Sequence, residues 1–419
     1  MASQAQASPA TSSVSPRRGD ERRLLGHAFF ARLYFYVPVL VLHMETQLAA
    51  AGVARPRALS LSLLAFMSVG MILAEYPSGV LADWLGRKRT LILSGVVQAA
   101  GILCFLLPAS LPAMVTAQVL IGVGTAFRSG ADTSLLHSVL ERERRPGRYG
   151  AALARLRFFN VSAIASASVA GGALYDWDPR AVFVAAAAAA LLGLLPLVGL
   201  REPPRDRPSA ERRYRDVLRQ SLGELRENRP ARALTWLGGV GNPYFPLTFW
   251  AIQTYLVDLD FPLVWLGVTV ASMSALQALT MPLSVWLSAD ERRSARALPL
   301  LVLLPAAAFG VVAVARGAGL PLLGTVVLVL TSGSHVLYRN AVNVRLQAMV
   351  PDAVRASVVS MEAFIGSLWY LALFPIAGWL LSTRGVGEGF AWLGGFALLT
   401  VAPSLLRAIR LGVLRPSRR

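Results

Sequence analysis

The segment GVLADWLGRKRTL, residues 79–91, joins two apolar stretches of the sequence, 58–80 and 90–108. It begins at Gly79, carries one acidic residue, and then has three consecutive basic residues after Gly86. An apolar stretch of about 20 residues is long enough to cross a bilayer as a helix. Glycine lets two helices approach closely and lets the chain turn between them. The segment therefore predicts a tight, basic loop between two membrane-spanning helices.

The whole chain is more apolar than a soluble protein. Of its 419 residues, 55% are hydrophobic and 15% are charged, whereas a soluble domain has about 45–50% apolar and 25% charged residues. This composition excludes a soluble enzyme and a disordered chain, and the single cysteine, Cys104, excludes a disulfide scaffold. We predict an all-α polytopic membrane protein with twelve transmembrane helices: 28–50, 58–80, 90–108, 112–134, 151–173, 180–200, 232–256, 262–287, 297–315, 319–341, 356–381 and 388–411.

The basic residues predict the topology. Lys and Arg total 41 against 23 Asp and Glu, for a net charge of +18. In the predicted loops, 33 of the 41 lie on the side of the termini and 5 on the opposite side. Basic loops face the cytoplasm, so both termini are expected there (N-in/C-in). A nucleic-acid partner is excluded, because these residues are dispersed over many short loops.

These spans divide the chain into five predicted regions. They are a disordered cytoplasmic tail (1–27), an N-terminal six-helix bundle (28–200), a cytoplasmic central loop (201–231), a C-terminal six-helix bundle (232–411) and a second cytoplasmic tail (412–419). Within the central loop, apolar residues recur at helical spacing among charges in 208–228. That pattern predicts either an amphipathic helix on the membrane surface or a solvated linker helix.

An internal repeat relates the two predicted bundles. The loop VLADWLGRKRTL has a degenerate counterpart, WLSADERRSARAL, and Asp83 and Asp290 are 207 residues apart. Pro146 and Pro351, each after the fourth span of its bundle, are 205 residues apart. Two landmarks with nearly the same offset indicate duplicated six-span halves, an architecture found in transporters.

Residues 79–91 resemble the signature loop of the major facilitator superfamily, GxLADxxGRKxxL. The segment EYPSG (75–79), the run FRSGADTSLLHSVLE (127–141) and the PIAG sequence at 375–378 are similar to an efflux-like branch of it. The resemblance implies two pseudo-symmetric six-helix bundles that transport a small molecule. It also implies a cytoplasmic latch, in which Asp83 contacts the start of span 11. The gating residues are then Gly79, Asp83, Gly86, Arg87, Lys88, Asp132 and Arg355. The alternative is that they only cap helices and set the topology.

Ionisable residues inside spans cost about 2.5–3.5 kcal/mol at the bilayer centre, so they are functional candidates. We predict four for proton coupling: Glu45, Glu75, Arg128 and Glu362. Glu75 and Arg128 are at similar depth and are expected to neutralise each other. Glu45 has no evident basic partner at its depth, so it is expected either to bind a proton or a cationic substrate, or to lie at the water interface.

Span 7 combines amide and aromatic residues with Pro243 and Pro246, which predict a broken helix. Broken helices are tolerated in a membrane where they line a cavity. The candidates for substrate contact are His43, Trp236, Asn242, Tyr244, Trp250, Gln253, His335, Tyr338, Arg339 and Asn343. The alternative for the aromatic residues is packing or an interfacial belt.

The function predicted from these features is proton-coupled export of a small molecule by a monomer in the cell membrane. Exporters of the superfamily carry Gly-Pro-x-x-Gly-Gly in span 5; here residues 167–172 read ASVAGG, which keeps Gly171 and Gly172 only. Proton-coupled import and a transport-inactive sensor are the alternatives. The four histidines show no metal or triad spacing and no P-loop is present. We therefore expect no metal, no cofactor and no enzymatic activity.

Overall fold

The computed structural model describes residues 19–202, 219–220, 222–351 and 354–414, and for 76–83 and 356 it describes the backbone only. Every regular element in these residues is helical. Most of the segment 208–228 lies outside them, so its amphipathic helix stays a prediction, although 222–227 are helical. The helices, numbered in chain order, are α1 (Asp20–Phe30), α2 (Leu40–Ala50), α3 (Pro56–Trp84), α4 (Arg87–Leu103), α5 (Leu111–Arg128), α6 (Ala131–Arg142), α7 (Tyr149–Trp177), α8 (Ala181–Leu192), α9 (Leu195–Val198), α10 (Arg229–Gly241), α11 (Tyr244–Val257), α12 (Leu263–Leu279), α13 (Met281–Ser288), α14 (Glu291–Gly317), α15 (Pro321–Met349), α16 (Arg355–Thr383) and α17 (Gly385–Arg410).

Ten helical stretches in the described part of the chain are long and apolar enough to cross a membrane. They coincide with predicted spans 2–6 and 8–12. Three of them contain a local interruption, at Ser129–Gly130 between α5 and α6, at 193–194 between α8 and α9, and at Thr280 between α12 and α13. The composition and the ten helices together make this a multi-pass membrane protein.

The first span of each half is not one helix but two. Span 1 is divided between α1 and α2, which are separated by residues 31–39 with a 3-10 turn at Val37–Val39. Span 7 is divided between α10 and α11 at Asn242 and Pro243. A proline lacks the N–H that would continue the helical hydrogen-bond ladder, which accounts for the second break. The two breaks fall at corresponding places in the two halves.

The predicted tail 1–27 ends too late, because α1 begins at Asp20. Leu24, Leu25 and Ala28 form a buried apolar stripe on this helix, which packs within the N-terminal half. Burial of this stripe stabilises the helix at a position where the sequence is locally basic. Residues 1–18 lie outside the described part.

The two ends of the bundle are held together by different contacts. We call the end with Asp20, Arg142 and Val413 the terminal face, and the opposite end, with Arg57 and Asp258, the distal face. At the terminal face, Asp20 is paired with Arg142, and on α15 the side chain of Arg345 donates to the Val413 carbonyl. At the distal face, Arg57 and Asp258 belong to different halves, and Arg57 Nη1 lies 3.8 Å from Asp258 Oδ1.

The two halves meet along two helix pairs, α3 with α16 and α7 with α12. Glycines allow close approach near the distal face: a Cβ at Gly172 would lie 2.6 Å from the Leu263 carbonyl oxygen. Gly267 is in similar contact with the Ser168 carbonyl, and Gly378 with the Ala58 carbonyl. These contacts place backbone against backbone across the boundary between the halves, so the distal face is closed.

Candidate functional site

The signature loop is held by Glu202, four residues after the last helix of the N-terminal half. The carboxylate of Glu202 accepts hydrogen bonds from the main-chain N–H groups of Arg87, at 2.7 Å, and Lys88, at 3.1 Å. Lys88 Nζ in turn donates to the carbonyl oxygens of Val198 and Leu200, each at 2.9 Å. Because the first N–H groups of a helix have no partner within the helix, Glu202 caps α4.

Glycine is required at position 86 for two reasons. Its φ of 94° lies in a region that side chains disfavour. A Cβ there would also lie 2.5 Å from the Glu202 carboxylate. The Arg87 guanidinium donates to the Ser134 carbonyl and to Ser138 Oγ, so the loop is also fixed to α6.

The predicted latch is only partly visible. Gly79 and the side chain of Asp83 belong to the segment for which the backbone alone is described. Asp132 lies in the first turn of α6, where its carboxylate accepts the Thr133 N–H at 2.7 Å. Arg355 is the first residue of α16, as expected. The latch itself therefore stays a prediction.

Arg128 lies at the end of α5, and is only 5% exposed. Its guanidinium donates to Gln98 Oε1 at 2.6 Å and to the Tyr34 hydroxyl at 2.7 Å. Tyr34 lies in the break between α1 and α2. In the part of the chain that the structure describes, no carboxylate lies within salt-bridge distance of Arg128, so its pairing with Glu75 is not found; the exposed Glu75 side chain has other contacts.

The C-terminal half has an equivalent arrangement. His335, 207 residues after Arg128, has its Nε2 2.8 Å from the Asn242 side-chain oxygen, at the break between α10 and α11. Phe245 stacks on both His335 and Tyr338, with ring centroids 5.2 and 5.0 Å apart. Each half thus joins its fourth span to the break in its first span through a polar side chain.

Glu362 on α16 is 6% exposed and packs against α10. A Cβ at Gly238 would lie 2.9 Å from Glu362 Cγ, so the glycine makes room for this side chain. Arg339, exposed on α15, acts on Glu362 and on His335 electrostatically. On the same helix, Asn343 Oδ1 is buried without a hydrogen-bond partner in the described residues. The structure therefore brings three predicted residues of the C-terminal half, Glu362, Arg339 and His335, close to one another.

Glu45 has a basic partner, contrary to expectation, and it lies at one end of the bundle, in keeping with the alternative of a place at the water interface. Its carboxylate accepts a hydrogen bond from Arg57 Nε at 3.1 Å, and Arg57 also faces Asp258, which pairs with Arg316 at 2.7 Å. The basic partner was missed because it lies 12 residues downstream, where the chain turns from α2 into α3. Glu45 therefore belongs to a charge cluster on the distal face.

The other candidates for substrate contact lie in different surroundings. His43 is 3% exposed among Phe105, Tyr175 and Phe183, with its ring 4.4 Å from that of Phe183. Tyr244 bonds to Thr400 at 2.6 Å within the C-terminal half.

Three candidates remain, all on the two helices of span 7. Trp236 on α10 is exposed, and Trp250 on α11 packs edge-to-face with Phe249. Gln253 on α11 bridges the two halves through hydrogen bonds to the main chain of the N-terminal half.

Sequence reasoning missed Tyr34, Gln98, Arg57 and Asp258. One available signal was the run Tyr34–Tyr36, which places two tyrosine hydroxyls inside an apolar span. A glutamine within a span, as at position 98, is also polar enough to have been considered.

The comparisons with known proteins agree with this architecture. A family profile described as Major Facilitator Superfamily matches residues 24–373. No curated protein matches the chain in sequence.

Several solved structures share its fold. A mutant of the nucleoside transporter NupG is 13% identical, with a TM-score of 0.74, covering 95% of this chain and 100% of that one. The POT family transporter PepTSo is 13% identical, with a TM-score of 0.75 and coverage of 95% and 98%. A D-xylose-proton symporter is 14% identical, with a TM-score of 0.67 and coverage of 93% and 96%. Family and fold are those of transporters rather than of enzymes, and this chain belongs to the Major Facilitator Superfamily.

Proposed function

We propose that the protein is a secondary active transporter that moves a small molecule by alternating access. The observation that carries this proposal is the closure of the two halves at the distal face. Their glycine-mediated contacts, such as Gly172 with Leu263, cluster at the distal face. Rocking of two rigid repeats about a central site is the general mechanism of such folds, and a bundle closed at one end is one state of that cycle.

The orientation follows from charge. The terminal face carries most of the basic residues, and basic loops favour the cytoplasmic side. We infer that the terminal face is cytoplasmic, that both termini are inside, and that the conformation described is closed toward the outside. The helices at the breaks, with Arg128 and His335 beside them, are then positioned near mid-membrane, where substrate sites of transporters lie.

We propose proton coupling and export, with Glu362 as the leading proton-binding carboxylate. It is buried, it is near the positive charge of Arg339, and it lies against the broken helix pair α10–α11. A change of its charge would alter packing at Gly238 and could thereby be linked to helix movement. The fold shared with a D-xylose-proton symporter favours proton-coupled import as the second candidate.

Flux in proteoliposomes tests the proposal. Purified protein is reconstituted, a pH gradient is imposed in each direction, and uptake of a panel of labelled small solutes is measured. We expect flux of at least one solute that follows the gradient and falls by roughly tenfold or more in Glu362→Gln, because general proton-transfer groups contribute at that scale. Glu388→Gln on α17 is the control and should keep the wild-type flux.

The direction of solute movement against the proton gradient separates export from import. Flux that ignores the pH gradient would refute proton coupling. An absence of flux with every solute would favour the transport-inactive sensor instead.

A further inference from the structure

Two arginines lie near the middle of the N-terminal half. Arg128 is at the centre of the helical stretch Leu111–Arg142, and Arg32 is in the break between α1 and α2. Arg128 is buried, whereas Arg32 is partly exposed. A ligand could therefore reach this pair of residues through Arg32.

Most of the hydrogen-bond donors of this pair have no acceptor among the residues that the structure describes. A guanidinium has five N–H donors, and Arg128 uses one on Gln98 and one on Tyr34. The described residues offer no acceptor to the other three, and they offer none to the side chain of Arg32. Both acceptors of Arg128 are neutral, so they orient it without neutralising its charge.

The charges around the pair do not balance. Among charged side chains, Arg128 acts most strongly on Arg32, and this interaction is repulsive. Asp132 acts on Arg32 in the opposite sense but more weakly, and no ion pair with either arginine is formed within the described part of the chain. Holding two like charges close together, with one of them buried, is costly without a counter-charge. A bound anion would supply it.

We propose that Arg32 and Arg128 bind an oxyanion group, a carboxylate or a phosphate, of the transported molecule. This inference rests on the proposed transport function and narrows its substrate to small organic anions. The planar fork of a guanidinium matches both groups and binds them with two parallel hydrogen bonds. Gln98 and Tyr34 hold the Arg128 fork in place, which lowers the cost of ordering it on binding.

The same features argue against a cationic substrate at this place. Two arginines repel a cation, and the carboxylate once considered for that role, Glu45, is paired with Arg57 at the distal face. The N-terminal half thus offers a positive site, and the C-terminal half offers Glu362 for the proton.

Ligand-dependent stabilisation tests the site. Full-length protein is purified in a phospholipid-free detergent, and its thermal-unfolding midpoint is measured at constant ionic strength with sodium benzoate, phenyl phosphate or the neutral benzyl alcohol. We expect the unfolding midpoint to rise saturably with one or both anions and to stay unchanged with the alcohol. Arg32→Gln and Arg128→Gln should weaken anion binding roughly 10- to 100-fold, the effect of losing charge-assisted hydrogen bonds.

Two further variants serve as controls. Arg293→Gln removes an exposed charge at the terminal face and should bind the anions like the wild type. Arg128→Lys keeps the charge but not the fork, so it should bind more weakly than the wild type even if Arg128→Gln fails to fold.

Three results would overturn the inference. The first is that the anions stabilise the wild type and both glutamine variants equally, and the second is that neither anion stabilises the wild type. The third is that only added phosphatidylglycerol micelles stabilise the protein, which would assign the arginines to a lipid headgroup. If neutral or cationic solutes are transported while anions neither bind nor compete, this inference fails and the proposed function stands. If anions bind through the arginines but nothing is transported, the site stands and the proposed function fails.

Discussion

Gln253 accepts a hydrogen bond from the main-chain N–H of Val41 at 3.0 Å, across the boundary between the two halves. Its amide nitrogen donates to the carbonyl oxygen of Val37 at 2.9 Å, and the side chain is only 1% exposed. One side chain thus satisfies main-chain groups where α2 begins after the break in span 1. Because Gln253 lies on α11 of the C-terminal half and its two partners lie in the N-terminal half, this contact exists only while the halves are together.

Gln253→Ala should open the distal face. It leaves two main-chain groups without partners at a cost of roughly 1–3 kcal/mol, and this cost applies only while the halves are closed. Spin labels at Ala51→Cys and Ala318→Cys, in a Cys104→Ser background, report the distance across the distal face. In Gln253→Ala we expect a larger fraction of molecules with a long distance between the two labels than in the wild type. Gln47→Ala is the control and should keep the wild-type distance distribution. A wild-type distribution in Gln253→Ala would contradict the role of Gln253 in holding the distal face closed.

Gly172→Ala should have the same effect for a steric reason. The added Cβ would lie 2.6 Å from the Leu263 carbonyl oxygen, and overpacking of this kind costs about 1–3 kcal/mol. The same spin-label pair measures the shift. Gly310→Ala, where nothing lies within 4 Å of the added atom, should leave the distribution as in wild type. Closure that persists in Gly172→Ala would show that α7 and α12 can separate without opening the face.

Glu202→Ala should lower the stability of the N-terminal half. It removes the acceptor of the Arg87 and Lys88 main-chain N–H groups, and loss of a helix cap costs about 0.5–2 kcal/mol. The midpoint of thermal unfolding in detergent measures this loss. Glu227→Ala, an exposed carboxylate in the same loop, should leave the midpoint unchanged. Equal midpoints for the two variants would argue that water replaces Glu202 without cost.

The long helices could be predicted from the sequence because the bilayer imposes a length and an apolar composition on each of them. The break in span 7 could be predicted too, since Pro243 cannot continue a helical ladder. The start of α1 could not, because its buried stripe, Leu24 to Ala28, is short and lies beside basic residues. Its stability comes from packing, not from local composition.

The partners of the polar residues were harder to predict than their positions. Lipid and neighbouring helices are both apolar, so the sequence of a span says little about which face meets which helix. Arg128 was recognised as unusual, yet its partner Gln98 lies on α4 and its partner Tyr34 in the break between α1 and α2. The partner of Glu45 was missed for the same reason, since Arg57 becomes its neighbour only through the turn into α3.

Asp83→Ala should slow transport with little effect on substrate affinity. The resemblance places this carboxylate in a latch that forms when the terminal face closes, which is the state opposite to the one described. We expect the maximal rate of flux in proteoliposomes to fall while the half-saturating concentration stays within about twofold, because a group that acts only on the conformational step does not alter binding. Asp290→Ala is the matched control: its carboxylate accepts the Arg292 N–H at 2.7 Å and caps α14. That variant should lose about 1 kcal/mol of stability but keep its rate, and equal rates for both variants would refute the latch.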